Sequence, residues 1–382
     1  MKRSSLIFIS LTLLILSGAV EARTLLEYNG RESQAQDTTY YEFDFVLSEN
    51  GSRMVMDLTG NLETGMLNVW LGGAGYDVIG NYDCEARFNF EKVIFGPLNG
   101  SEPVRVKITS RDASGQWKVL IREITPSGSL LSLLVSGCLV VLITLIMLLW
   151  WRRNIVTSWK WLLLGAGVWF VGVVFKFVVA LFANTPVFEL LKSLFGPSGY
   201  LVLGATYIGL LTGVFEIGIT LAFALLIRGM YENRDRALSI GLGAGLVEAL
   251  LIGFSSLGNY FTVVTGTAST DAIMGALAQA IAVTPVLWLV SPIERIIAIL
   301  CHISSRMLVL YGVMRRQYRY FWAGFAILTV LDAIAGYFHL AELINKVSLW
   351  WIELILLPFA VISIPIIIWC YRHWRERDIP GT

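Results

Sequence analysis

Seven apolar runs, at about 130–151, 159–182, 200–228, 237–257, 291–314, 320–339 and 348–371, constrain this chain more than any other feature. Each can form the roughly 20-residue helix that crosses a hydrocarbon core of about 30 Å. In lipid an isolated segment satisfies its own backbone polar groups only as a helix. Hydrophobic residues make up 56% of the 382 positions and charged ones 15%, too apolar a balance for a soluble globule of this length. The fold class these runs predict is an α-helical polytopic membrane domain with seven transmembrane helices, over residues 127–372, preceded by an extracytoplasmic antiparallel β-sandwich domain. Its first partner is the lipid bilayer, and a formal net charge of +1 gives no footprint for nucleic acid.

The N-terminal part reads differently. Met1–Lys2–Arg3, the apolar run Leu6–Leu16 and the small residues Val20 and Ala22 have the pattern of a secretory signal peptide over residues 1–22. From 23 to 126, apolar residues alternate with polar ones at Tyr41–Phe45, Met54–Leu58, Leu67–Leu71, Phe88–Phe90, Val104–Ile108 and Trp117–Ile121, with turns between. This period of two predicts six or more short antiparallel strands in a sandwich. Cys84 is the sole cysteine there, so no disulfide staples the domain. Asn50 and Asn99 head N-x-S sequons. The domain carries no catalytic constellation, and its expected role is to bind an unidentified ligand or partner, or to cap the membrane domain. Residues 125–129 read as the linker.

Basic residues set the expected topology. With seven spans and an outside start, Arg152, Arg153, Lys160, Arg228, Arg234, Arg236, Arg315, Arg316, Arg319, Arg372, Arg375 and Arg377 fall inside, whereas Lys192 and Lys346 fall outside. The polar-interrupted stretch 261–290 would invert this bias if it spanned, so it reads as an outer-face amphipathic or re-entrant helix, a candidate lid. The expected localisation is the cell membrane, with the β-domain outside and the tail 373–382 cytoplasmic.

Four ionisable residues lie near the middle of separate apolar runs: Glu216, Glu248, His302 and Asp332. Such a group at a helix centre costs about 2.5–3.5 kcal/mol on insertion scales, so the four are expected to face one another in a shared polar cavity. Lys176 adds a cation, Arg306 follows His302 by one helical turn, and Glu294–Arg295 lie at the outer end of the same run. One chemistry this set suits is hydrolysis, with Glu216 as general base on water and His302, Glu248 and Asp332 positioning that water or holding a divalent ion such as zinc. Buried ion pairing of Glu216 and Glu248 with Lys176 and Arg306, or an ion or proton pathway, suits the same residues. Direct pairing that fills the cavity would mark a structural cluster. His339, seven residues after Asp332, falls on the same helix face at its outer end.

The order of these residues carries a resemblance. Glu294–Arg295, an apolar spacer and His302-x-x-Ser305 resemble the E-R, H-x-x-S signature of the YhfC family of intramembrane metalloproteases. The glycine-spaced stretch ending at Glu248, the stretch Gly213–Glu216 and the pair Leu331–Asp332 fall in the order that family uses. The resemblance covers about 130–371 and leaves the β-domain unmatched. It implies an intramembrane peptidase acting on a membrane-protein or peptide substrate, with Glu216, Glu248, His302 and Asp332 at the site and Glu294, Arg295, Lys176 and Arg306 in support. The family is grouped with prenyl-protein CAAX proteases, bacteriocin-processing enzymes and the Aph subunit of gamma-secretase. Their first motif pairs two glutamates with a following arginine, whereas Glu216 is followed by Ile217, with Thr220 and Leu221 where the arginine would fall. Ala244 and Leu328 occupy positions where YhfC sequences often place histidine. A silent membrane scaffold or sensor, comparable to the Aph subunit, is therefore the alternative to a peptidase, and a transporter is a third class.

Overall fold

The computed structural model describes residues 22–32, 38–73, 76–98, 103–266 and 270–374. The signal-peptide segment up to residue 21, the Asn99 sequon and the tail from 375 lie outside them. Two compact units emerge: Met1–Leu133 with Asn259–Leu287, and Leu134–Gly258 with Trp288–Thr382.

In the first unit the described strands are β1 (Arg23–Glu32), β2 (Thr39–Phe45), β3 (Ser52–Gly73), β4 (Tyr76–Leu98) and β5 (Val104–Ile124). All belong to one antiparallel sheet of order β1-β5-β3-β4, and β2 also pairs with β5. The short strands expected from the alternation are fused: Met54–Leu58 and Leu67–Leu71 are both in β3, and Val104–Ile108 and Trp117–Ile121 are both in β5. Strands of 21 to 23 residues would run roughly 70 Å if straight. They bend where the β3 register shifts between Asn61 and Met66, opposite Ala86 and Asp112, which adopt positive φ. Gly65 (φ 78°) is required at that bend, because a Cβ there would lie 2.3 Å from the Asp112 backbone. The bent halves share one core, in which Met56, Leu58 and Ile121 meet Leu67, Val69 and Ile108. Tyr28 packs on Tyr41 at 5.0 Å and Tyr82 on Phe90 at 5.3 Å. Alternation survives a bulge, so the sequence displays the periodicity of two strands where the backbone is one.

The opposite face of this sheet is covered by a helix from the stretch 261–290. Thr270–Val283 buries Ala278, Ile281 and Ala282 against Val55 and Ile124. Arg122 bonds Asp57 at 2.9 Å and donates to the Ala282 carbonyl at 3.4 Å. Residues expected as a linker start a helix: Ser127 N–H donates to Glu49 at 3.2 Å and Gly128 N–H to Thr125 Oγ1 at 3.1 Å.

The helices are α1 (Pro126–Asn154), α2 (Trp159–Thr212), α3 (Ile219–Leu226), α4 (Arg234–Val264), α5 (the Thr270–Val283 helix above), α6 (Val290–Arg315), α7 (Arg319–Leu340) and α8 (Trp350–His373). Among the described residues, six helices are long and apolar enough to cross a membrane. The difference from seven lies in Trp159–Leu226, a run of 68 residues that holds two of the expected segments. At 1.5 Å per residue it would be roughly 100 Å long if straight. Gly196 interrupts it with φ 66° and ψ −174°, followed by Pro197. The connection between the two apolar segments is itself helical, so the gap in hydropathy is not a gap in the helix. Of the six, α6 and α4 are the most enclosed, 83% and 67% buried over their apolar stretches against 22–28% for the others.

Candidate metal centre

Arg295, His302 and Arg306 lie seven and eleven residues apart, close to whole numbers of helical turns, and form one stripe on α6. All three are buried. Across from them, Gly241 and Gly245 let α4 approach α6 closely: a Cβ on Gly241 would lie 2.7 Å from the Ile303 Cα. That approach brings Glu248 to the stripe. Arg295 Nη1 donates to Glu248 Oε1 at 2.6 Å, and His302 Nε2 lies 2.6 Å from Glu248 Oε2. Arg306 Nη1 is 2.6 Å from His302 Nδ1. A guanidinium only donates, so Nδ1 accepts and the hydrogen sits on Nε2, pointing at Glu248.

Glu216 reaches the same stripe from a π-helical turn, Gly213–Gly218, between α2 and α3. Its Oε1 accepts from Lys176 Nζ at 2.7 Å and its Oε2 from Arg306 Nη2 at 3.4 Å. Asp332 of α7 accepts from Thr212 Oγ1 and lies 3.8 Å from Lys176 Nζ. Gly209 permits this approach of α2 to α7, since a Cβ there would meet the Thr329 carbonyl at 2.1 Å. Arg295 Nη2 also binds Glu294. The eight residues singled out in the sequence thus form a continuous chain of contacts from Asp332 to Glu294.

Pairing does not fill the space. A cavity of about 320 Å³ remains, lined by Lys176, Glu216, Glu248, Glu294, Arg295, His302 and Asp332 together with apolar residues such as Trp169 and Leu328. Arg306 is not among its lining residues and lies fully buried. Four carboxylates meet three arginine or lysine cations here.

Ligand atoms of Glu216, Glu248 and His302 all lie within 4.8 Å of one another. One imidazole with two carboxylates is a donor set suited to zinc or another divalent ion. The ligand set expected from sequence is His302, Glu248 and Asp332; the donors grouped within 4.8 Å in the structure are His302, Glu248 and Glu216, and the Asp332 carboxylate meets Thr212 and Lys176. His339 is exposed near the end of α7 and is not a lining residue. Sequence reasoning missed Thr212, which reads as one polar residue in an apolar run, and the π turn, whose only local sign is the glycine pair flanking Glu216. It also passed over Glu353, an acid of the first turn of α8 that is 6% exposed.

No curated protein matches the chain. The family model of the YhfC intramembrane metalloprotease matches residues 139–356, which include every residue of the polar cluster. That match spans more than half of the sequence, and the chain therefore belongs to the YhfC intramembrane metalloprotease family.

Proposed function

We propose that this protein is a metal-dependent intramembrane peptidase that hydrolyses a peptide bond in the cavity between α2, α4, α6 and α7. One observation carries the reading: a three-donor group, Glu216, Glu248 and His302, lies on the wall of a cavity that stays open although every donor already has a partner. Glu248 and His302 would hold the ion, with Glu216 beside them. A divalent ion bound there supplies Lewis acidity and makes water a better nucleophile near neutral pH.

The chain's own residues do the rest. Arg295 fixes Glu248. The His302 ring carries its hydrogen on Nε2 while Nδ1 accepts from Arg306, so holding an ion through Nε2 would require that hydrogen to pass to Nδ1 and Arg306 to give up this contact and keep the one to Glu216. Glu216 is the general base, and Lys176 and Arg306 hold its two oxygens in place facing the cavity. Apolar lining such as Trp169, Leu251 and Leu356 limits water and favours an apolar substrate segment. Glu216→Gln keeps the shape and removes the base. Cleavage of a membrane-peptide library in vesicles should be lost while metal content stays at the wild-type level. Cleavage at the wild-type rate would refute the base assignment, and loss of the ion would make Glu216 a ligand instead.

A silent scaffold or sensor is the second reading, and one observation favours it: both oxygens of Glu216 and of Glu248 already face a cation or His302. The open cavity supports the peptidase. The proposed topology is seven spans, with the Gly196 break separating two of them, the β-domain outside and the C-terminus cytoplasmic. In a cysteine-free background, Glu63→Cys and Gln317→Cys should label from opposite sides of the membrane. Labelling from one side would mean that Trp159–Leu226 crosses once.

A further inference from the structure

Glu353 takes no part in the contact chain described above. It is 6% exposed, and its Oε2 is enclosed with no hydrogen-bond partner among the described residues. The other acids of this region contrast with it: Glu216, Glu248, Glu294 and Asp332 each face an arginine or a lysine. A buried acceptor left without a donor is an unfavourable state, and a group bound beside Glu353 relieves it once the side chain turns its enclosed oxygen toward that group.

The surroundings say what that group is like. Glu353 lines a groove of about 400 Å³ between the starts of α6 and α8, walled by Ile293, Ile297, Trp350, Trp351, Leu354 and Leu357. Ile297 also lines the cavity of the polar cluster, so a single side chain borders both spaces. The occupant must be apolar along its length and still offer a hydrogen-bond donor. Acyl chains have none, and an intact transmembrane helix has used its own N–H groups. A membrane segment broken in its middle presents the unpaired N–H groups of a new helix N-terminus. A peptidase needs this form as well, because a peptide bond inside a regular helix is shielded.

We propose that the groove between α6 and α8 is a docking subsite for a locally unwound, apolar membrane peptide, with Glu353 accepting a backbone N–H of that peptide. This assignment rests on the peptidase reading, but its test reads binding alone. The full chain carrying Leu354→p-benzoylphenylalanine is reconstituted in phosphatidylcholine vesicles and irradiated with a leucine-rich peptide of about 20 residues. One form of the peptide carries a central Gly-Pro break and the other is unbroken.

The broken peptide should label about tenfold more than the unbroken one, the upper end of what one hydrogen bond contributes. Glu353→Leu should bring labelling down to the unbroken level, and Glu353→Gln, which keeps a carbonyl acceptor, should retain most of it. Equal labelling of the two peptides overturns the assignment, as does wild-type labelling by Glu353→Leu. Displacement of the broken peptide by phosphatidylethanolamine would give the groove to a lipid ammonium group and overturn it too. If Glu353→Leu does not fold, the comparison of the two peptides still decides. Glu216→Gln should label as wild type does, so loss of cleavage with intact labelling separates failure of the chemistry from failure of the groove.

Discussion

The two units bury carboxylates in opposite ways. In the sheet unit, Glu123 of β5 is 0% exposed and accepts from Ser48 N–H at 2.6 Å, Ser48 Oγ at 2.9 Å and Ser52 Oγ at 2.9 Å. Its partners are mostly neutral, come from one loop and its adjoining strand, and Arg23 at 3.8 Å is largely exposed. In the helical unit, Glu216 and Glu248 take their partners from the cations of other helices, and a cavity stays open beside them. A carboxylate with short-range neutral donors completes a loop. Carboxylates converging from separate helices on cations and an imidazole make a polarised site. Burial alone does not distinguish the two; the origin of the partners and the remaining space do.

That contrast can be broken by substitution. Arg306→Leu leaves Glu216 short of one cation in a fully buried place and should destabilise the helical unit by about 3–5 kcal/mol, read as a lower melting temperature in detergent. Glu123→Ala should cost less, about 1–3 kcal/mol, because it strands neutral donors and no second charge. Its readout is Cys84, whose thiol burial pushes up to about 11. At pH 8 the folded unit should resist iodoacetamide, and Glu123→Ala should react at lower urea. If Glu123→Ala proves more damaging than Arg306→Leu, the contrast drawn here fails.

The smallest effect belongs to an exposed pair of the sheet unit. Arg105 holds Asp44 below its ordinary value of 3.8, chiefly through their hydrogen bond. A depressed carboxylate contributes stability above its unfolded value and loses it as pH falls through the folded one. The pair is exposed, so Arg105→Ala should leave stability at pH 7 nearly unchanged and should flatten the acid limb only below about pH 4. A marked loss at pH 7 would mean that this edge of the sheet depends on the pair.

How far the sequence discloses this architecture follows from what each signal measures. Hydropathy locates the six described helices that are long and apolar enough to cross a membrane, because lipid imposes one rule along each segment, but it separates 159–182 from 200–228 where the backbone stays largely helical up to Gly196. Alternation locates parts of β2 to β5 and misses β1, and it counts two strands where β3 or β5 passes through a bulge. The cost of a charge in lipid singles out Glu216, Glu248, His302 and Asp332, since each lies near the middle of its run. It cannot assign partners, which is why Asp332 was expected with His302 and instead meets Thr212 and Lys176. Glu353 lies in the first turn of its helix next to two tryptophans, where an acid reads as interfacial, and only tertiary packing shows it enclosed.

The central claim is that Glu248 and His302, with Glu216 beside them, form a divalent-cation site. Metal content of the purified full chain, measured by plasma mass spectrometry alongside His302→Ala and Glu248→Gln, tests it most directly. The account predicts about one zinc or other divalent ion per wild-type chain and near-background levels in both variants. A wild-type protein that carries no more metal than His302→Ala, even after incubation with zinc, would contradict the account and leave the cluster as an ion-paired scaffold.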